Sequence, residues 1–242
     1  MTEIYLALGG SINNLRSSFQ DDPAPAALLS YVYFDMLEDL LATGKFRYWV
    51  LDSGAFTAHQ KGKPIQVQDY IEFCHKVLAG PNPPKEVYSL DVIGDWQETA
   101  KNTEAMWDAG IKAIPTYHIG EPADALTSMA KRYPKIALGG VAGMGKRAVP
   151  FFKQCFARVW PKPMHAFGVH SEEVLMSFPF HSADATNWQL GPTRFGSWKC
   201  YGDFRPEVRT GFHLRPQVDL FLELERKLKA KWRGELARFK DL

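Results

Sequence analysis

The sequence predicts an α/β protein folded as a single closed (β/α)8 barrel of the TIM type. Three observations predict it. Apolar runs of strand length alternate about eight times with amphipathic stretches, and the connections are short, as in a parallel sheet covered by helices. The 242 residues fit one large α/β domain, and 45% apolar content can supply a full core. Several apolar runs stop at a carboxylate or a glycine pair, as a chain does on leaving the C-terminal end of a barrel strand. An open doubly wound sheet is the alternative. No linker composition or internal repeat divides the chain. Residues 1–242 therefore read as one domain with a basic, helical C-terminal segment over about 194–242.

Ile4 to Leu8 reads as the first strand, stopping at Gly9-Gly10-Ser11. Asn13 to Pro25 is polar and proline-containing, hence a loop. Ala26 to Ala42 carries Leu29, Val32, Tyr33, Met36 and Leu40 at helical spacing and predicts one helix, closed near Gly44. Tyr48 to Leu51 is an apolar strand that stops at Asp52, and His59 to Pro64 reads as a loop. Val67 to Leu78 is amphipathic, with Tyr70, Ile71, Cys74, Val77 and Leu78 on one face, and Gly80 to Pro84 breaks it. Val87 to Leu90 is a strand ending at Asp91, followed by a helix from about Trp96 to Ala109. Ala113 to Tyr117 is strand-like and ends at His118, and Pro122 to Arg132 is helical. Ile136 to Leu138 stops at Gly139-Gly140-Val141-Ala142-Gly143, and Lys146 to Val159 is a helix. Met164 to Phe167 leads into Gly168-Val169-His170 and a short helix near Ser171 to Met176. Phe178 to Ala183 ends at Asp184. Gly196 to Tyr201 is the candidate eighth strand, and Pro216 to Arg233 is a long helix.

The net charge of +2 and pI near 8.3 are too mild to establish nucleic-acid binding. The distribution is more informative. From Arg194 onward there are 12 Lys+Arg against 7 Asp+Glu, while the first 193 residues hold 17 against 20. A basic tail on a near-neutral body could meet a phosphate backbone, or it could be a solvated amphipathic helix. Cys74, Cys155 and Cys200 are far apart and in no Cys-x-x-Cys pair, which argues against a disulfide framework or a Cys-rich zinc site. Gly139 to Gly145 has neither a Walker Lys-Ser/Thr nor a Gly-x-Gly-x-x-Gly fingerprint. No signal peptide or membrane span is evident, so a soluble protein of the reducing cytoplasm is expected.

Three strand ends carry an aspartate: Asp52, Asp91 and Asp184. Any one of them alone reads best as a helix cap or turn former. Three in register on one barrel rim point to acid–base and nucleophilic chemistry. His118, His165, His170 and His181 also lie near strand ends, without metal-ligand spacing, and read as polar lining of the same pocket.

These strand-end residues, taken in order, resemble the tRNA-guanine transglycosylase superfamily. The family's Asp-Ser-Gly-Gly-Phe is matched by Asp52-Ser53-Gly54-Ala55-Phe56, and its second strand-end aspartate by Asp91. Its Gly-Gly-Leu-Ala compares with Gly139-Gly140-Val141-Ala142, and its His-x-x-Gly-Val with His165-Ala166-Phe167-Gly168-Val169. The family nucleophile falls on Asp184. The similarity covers roughly Tyr48 to Trp198. The chain departs from the tRNA enzymes in having no Cys-x-Cys-x-x-Cys zinc site, hence no zinc subdomain, and in replacing a glutamine-containing strand end with Thr116-Tyr117-His118. It therefore looks like the compact branch, the DNA 7-deazaguanine transglycosylases, notably those of phages.

The resemblance implies exchange of guanine in DNA for a 7-deazaguanine such as preQ0, through a covalent sugar–enzyme intermediate. Asp184 would be the nucleophile and Asp52 the general acid–base. Asp91 would accept N–H donors of the base. Ser53, Gly54, Phe56, Tyr117, His118, Gly139, Gly140, Val141, Phe167 and Gly168 would line the base site, with the glycines allowing close backbone approach or simply making tight turns. A stacked nucleotide would have to be extruded or already single-stranded. Arg194, Lys199, Arg205, Arg209 and Arg215 would hold phosphates, and Trp188 or Trp198 could stack. No cofactor or metal is expected, and the oligomeric state stays open. Two other readings compete: a barrel hydrolase or lyase on a small sugar or phosphorylated substrate, and a non-catalytic nucleic-acid-binding protein on a decayed barrel. A tRNA substrate is a variant of the transglycosylase reading.

Overall fold

The computed structural model describes residues 2–9, 16–189, 214–236 and 239. Seven strands are all parallel: β1 (Glu3–Leu8), β2 (Ala26–Ser30), β3 (Tyr48–Asp52), β4 (Thr116–His118), β5 (Ile136–Gly139), β6 (Met164–Ala166) and β7 (Ser182–Ala185). Their order across the sheet is β3-β2-β1-β7-β6-β5-β4. The two edges are joined by a further short segment. Val87 bridges to Leu51 of β3, and Tyr88 bridges to Ile114, two residues before β4. Tyr88 N donates to Leu51 O, and Ile114 N donates to Val87 O, both at 2.8 Å. The ring is thus closed by an eighth, very short strand position, and the barrel predicted from alternation is the fold.

The largest difference from the sequence pattern lies at Ala26 to Ala42. The first five residues are strand β2, and the helix α1 begins only at Phe34 (Phe34–Thr43). Ala26 and Leu28 enter the barrel interior while Ala27 and Leu29 pack outward. An all-apolar run fits both a period of two and a period of 3.6, so its spacing could not separate them. This strand supplies the place for which Gly196 to Tyr201 is the sequence candidate. That stretch lies outside the described residues.

Most other elements follow the pattern. The amphipathic runs form α3 (Val67–Leu78), α4 (Trp96–Asp108), α5 (Ala123–Arg132), α6 (Val149–Val159), α7 (Glu172–Ser177) and α8 (Arg215–Glu235). A short helix α2 (Ala55–Gln60) occupies the start of the loop after β3. The Asp95 carboxylate accepts the Gln97 and Glu98 N–H groups and caps α4.

Two cores result. The larger lies between sheet and helices and takes every second strand residue: Ile4, Leu6, Trp49, Leu51, Ile136, Leu138, Ala183 and Ala185. The smaller fills the barrel with Tyr5, Ala7, Ala26, Leu28, Val50, Tyr88, Ile114 and Ala137. Because side chains alternate along a strand, the residues in phase with this inner set also point inward. They include Asp52, His118, His165, Ser182 and Asp184, and this phase builds the site.

Candidate active site at the barrel mouth

All the strands run the same way, so their C-terminal ends share one rim. Asp52 is the last residue of β3, and Asp184 sits one residue inside the end of β7. Asp91 follows the Val87–Tyr88 segment. Asp52 Oδ2 accepts the Gly54 N–H at 3.0 Å, closing the turn into α2. Gly54 has φ +77°, and a Cβ there would come within 2.3 Å of Ser30 Oγ, so only glycine lets the chain turn this tightly. Burial pushes the Asp52 carboxyl up to about 7, and the nearby charges of Asp91 and Asp184 add to it. The charges of Asp91 and Asp184 therefore reach Asp52.

Asp91 is clamped. Its Oδ2 lies 2.9 Å from His118 Nε2, and its Oδ1 accepts a longer bond from Ser53 Oγ at 3.4 Å. His118 Nδ1 in turn lies 3.0 Å from Glu121 Oε1. Burial alone would lower the His118 pKa. The hydrogen bonds to Asp91 and Glu121 outweigh it and hold the imidazole up to about 9. It is thus an imidazolium at neutral pH, donating to two carboxylates. Glu121 is a site residue the sequence pattern missed; its signal was the spacing of three residues after His118.

Asp184 is buried. Its Oδ1 accepts the Gly168 N–H at 2.8 Å. His165 Nε2 lies 3.4 Å from the same oxygen, in electrostatic range but without hydrogen-bond geometry. No described residue hydrogen-bonds to Oδ2. Below Asp184, His165 is fully buried between the rings of Tyr5, Tyr88 and Phe167.

Other predicted residues divide by strand face. Phe167 faces inward and packs on Tyr88 and His165, on the inner side where the carboxylates lie. Phe56 on α2 is 56% exposed. Gly139 is inward-facing. A Cβ there would meet the His118 ring at 2.8 Å, so this glycine makes room for His118. Gly140 and Gly168, at φ +76° and +67°, form tight βα turns.

Tyr117 and Val141 do not line the mouth. Both lie in the outer core, and Tyr117 stacks on Phe151 of α6 and donates to Glu121 O. The neighbour of an inward residue on a strand must point outward. His181 precedes β7 and lies at the N-terminal end of the barrel, so it is no part of the carboxylate pocket. Burial and the charge of Lys135 lower it to about 4. His170 lies beside Asn187, its Nε2 3.0 Å from Asn187 Nδ2. Trp188 is fully buried and donates to Ala7 O, so it is core and not a stacking platform.

Of the five predicted phosphate contacts, Arg194, Lys199, Arg205 and Arg209 lie outside the described residues, as does Trp198. Arg215 is buried, donating to Asp21 O, Pro23 O and the Asp219 carboxylate. Those carbonyls precede β2, on the rim opposite the aspartates, so Arg215 holds the fold together there. Among the described residues no group of His, Cys, Asp and Glu is arranged to hold a metal ion, and no helix is long and apolar enough to cross a membrane.

No protein-family model matches the sequence, and no curated protein matches it. Solved structures do. A tryptophan synthase from M. tuberculosis, in an open form with BRD0059 bound, aligns with a TM-score of 0.51 and 10% identity, covering 94% of this chain and 93% of that one. The tryptophan synthase α2β2 complex of the hyperthermophile Pyrococcus furiosus aligns with a TM-score of 0.50 and 12% identity, covering 95% and 97%. At such identity the likeness carries the fold and not the chemistry. What the mouth does has to be read from its own residues.

Proposed function

We propose that this protein is a base-exchange transglycosylase that replaces guanine in DNA with a 7-deazaguanine such as preQ0. The observation that carries this reading is the convergence of Asp52, Asp91 and Asp184 at one barrel mouth, close enough for the latter two to raise the first. Base exchange at one sugar carbon needs a nucleophile and a group that alternately gives and takes a proton. Asp184, with Oδ1 held by Gly168 and Oδ2 without a described partner, fits attack on the sugar carbon, as carboxylates do in retaining glycosidases. Asp52, titrating near neutrality, fits protonation of the departing guanine and deprotonation of the incoming base. Asp91, its charge secured by His118, fits recognition of the N–H groups on the base's pairing edge. Phe56 and Phe167 fit stacking on a flat ring extruded from the duplex.

A second reading is a barrel hydrolase or lyase on a small sugar or phosphorylated substrate. It is favoured by the commitment of Arg215 to the opposite rim and by the acidic character of the described mouth. The test is release of labelled guanine from duplex and single-stranded DNA in the presence of excess preQ0, with tRNA and free guanosine alongside. Release from DNA that vanishes in Asp184→Ala is the expected result. Release from tRNA alone would keep the chemistry and change the polymer. Cleavage of guanosine alone would favour the small-substrate enzyme. No release from a folded protein would reject the transglycosylase.

A further inference from the structure

The barrel interior beneath Asp184 holds a chain of polar groups that the proposed reaction does not use directly. Lys135, one residue before β5, is buried, and its Nζ donates to Glu86 Oε2 at 2.7 Å and to Ser182 Oγ at 3.1 Å. Ser182 Oγ lies 2.9 Å from His165 Nδ1. The other ring nitrogen of His165 faces Asp184 Oδ1 at 3.4 Å. Ser182 and His165 are both fully buried, so solvent does not complete their bonding.

Valence sets the roles at the lysine end of this chain, and the Asp184 charge sets them at the histidine end. An ammonium can only donate, so Ser182 Oγ must accept from Lys135. The hydroxyl then has one proton left, for which His165 Nδ1 at 2.9 Å is an acceptor, alongside the Tyr5 and Tyr88 hydroxyls that also lie within reach of Ser182. An Nδ1 that accepts leaves the ring proton on Nε2, the nitrogen facing the Asp184 carboxylate. The two ends agree, since a carboxylate favours an N–H over a lone pair. The reverse tautomer would place a bare nitrogen, lone pair foremost, against the Asp184 carboxylate at 3.4 Å, and this end decides between the two.

We infer that Lys135, Ser182 and His165 form a positioning array that fixes His165 as the Nε2–H tautomer and so directs Asp184 Oδ2, rather than Oδ1, toward the substrate. Burial keeps the ring neutral, so it acts as a dipole and not as a competing charge. With Gly168 N–H on Oδ1 already, the His165 N–H dipole adds an electrostatic pull on the same oxygen across 3.4 Å, without a hydrogen bond. Oδ2 is left as the less engaged, attacking oxygen. Glu86 anchors the array by holding Lys135, with Tyr5 and Tyr88 hydroxyls at 3.3 and 3.5 Å from the same Glu86 oxygen. None of these residues touches substrate. The kinetic consequence rests on the transglycosylase reading, whereas the tautomer does not.

The experiment is long-range 1H–15N correlation on the full-length protein labelled at histidine nitrogen, with His165 assigned by its loss in His165→Gln. The expected spectrum shows Nε2 protonated and Nδ1 bare at pH 7.5. A protonated Nδ1, or a doubly protonated ring, would overturn the array whatever the enzyme does. In Ser182→Ala the tautomer should become mixed, and kcat for base exchange should fall about tenfold, the equivalent of one hydrogen bond, with KM within about twofold. Ser182→Thr, which keeps the hydroxyl, should restore the single tautomer and most of kcat. Unchanged kcat in a Ser182→Ala protein with a mixed tautomer would overturn the effect on Asp184. The expected tautomer in a wild-type protein that exchanges no base would reject the transglycosylase and leave the array standing.

Discussion

The two ends of the barrel interior both carry buried charge, and they treat it in opposite ways. At the N-terminal end Glu86 meets Lys135, while Glu3 meets Lys85 at 3.3 Å and Lys85 lies over the Tyr48 ring. Burial would push the Glu86 carboxyl up, but the Lys135 charge and hydrogen bond hold it below its ordinary value. At the C-terminal mouth three aspartates converge. One of them, Asp91, has its cation in His118, and Asp52 rises to about 7. Compensated charge at one end secures the fold. Uncompensated charge at the other raises its own cost and is retained where chemistry can use it.

The sharpest way to break this comparison is to remove one carboxylate from each end. Asp184→Ala should lower base exchange by about 10,000-fold and leave the folded protein intact, since it relieves repulsion on Asp52. A loss of less than about tenfold in single-turnover assays would remove Asp184 from the nucleophile role. Lys135→Met should act on stability instead. It strands Glu86 as an unpaired buried charge, at a cost of about 3 kcal/mol, seen as a fall in Tm of roughly 6–12 °C. Adding Glu86→Leu should recover most of that loss, and failure to do so would mean the pair is not the source.

Asp52 sharpens the comparison through pH. Its carboxyl binds a proton more tightly folded than unfolded, having risen from 3.8 to about 7. The folded state is therefore penalised progressively as pH rises from about 4 to 7, and fully above 7. Asp52→Asn should be more stable than the parent by about 1 kcal/mol at pH 8, allowing for its partial exposure, and no more stable at pH 3.5. Chemical denaturation at the two pH values decides this, and equal differences at both would show that Asp52 is not shifted.

The smallest effects are titrations that leave structure and rate untouched. His118 at the mouth should titrate near 9 and His181 at the other end near 4, as followed by imidazole proton resonances. The stability that His118 contributes is full below its ordinary 6.5 and is lost as pH rises through 9. Titration of both rings near 6.5 would mean that the ends do not differ.

Strand and helix alternation is local and periodic, and for that reason it was readable along most of the chain. Val67–Leu78 is the same span in sequence and structure. Ala26 to Ser30 was not readable because an unbroken apolar run satisfies two periods, and ring closure resolved it in favour of a strand. The site followed the same rule. Asp52 and Asp184 stand out as carboxylates at the ends of apolar runs. Tyr117 was assigned to the mouth beside His118 because spacing alone does not say which of two neighbours faces in, and pairing with β5 turned it outward. Lys135 and Glu86 were missed because they lie 49 residues apart in sequence.

By itself, the sequence determined that this is a parallel barrel with three carboxylates at its strand ends, since periodicity and strand-end chemistry are written residue by residue. Only the tertiary structure decided which residues face inward, that Asp52 feels Asp91 and Asp184, and that a lysine, a serine and a histidine line up beneath the last of these. Those facts depend on closing the ring, which sets the phase of every strand at once.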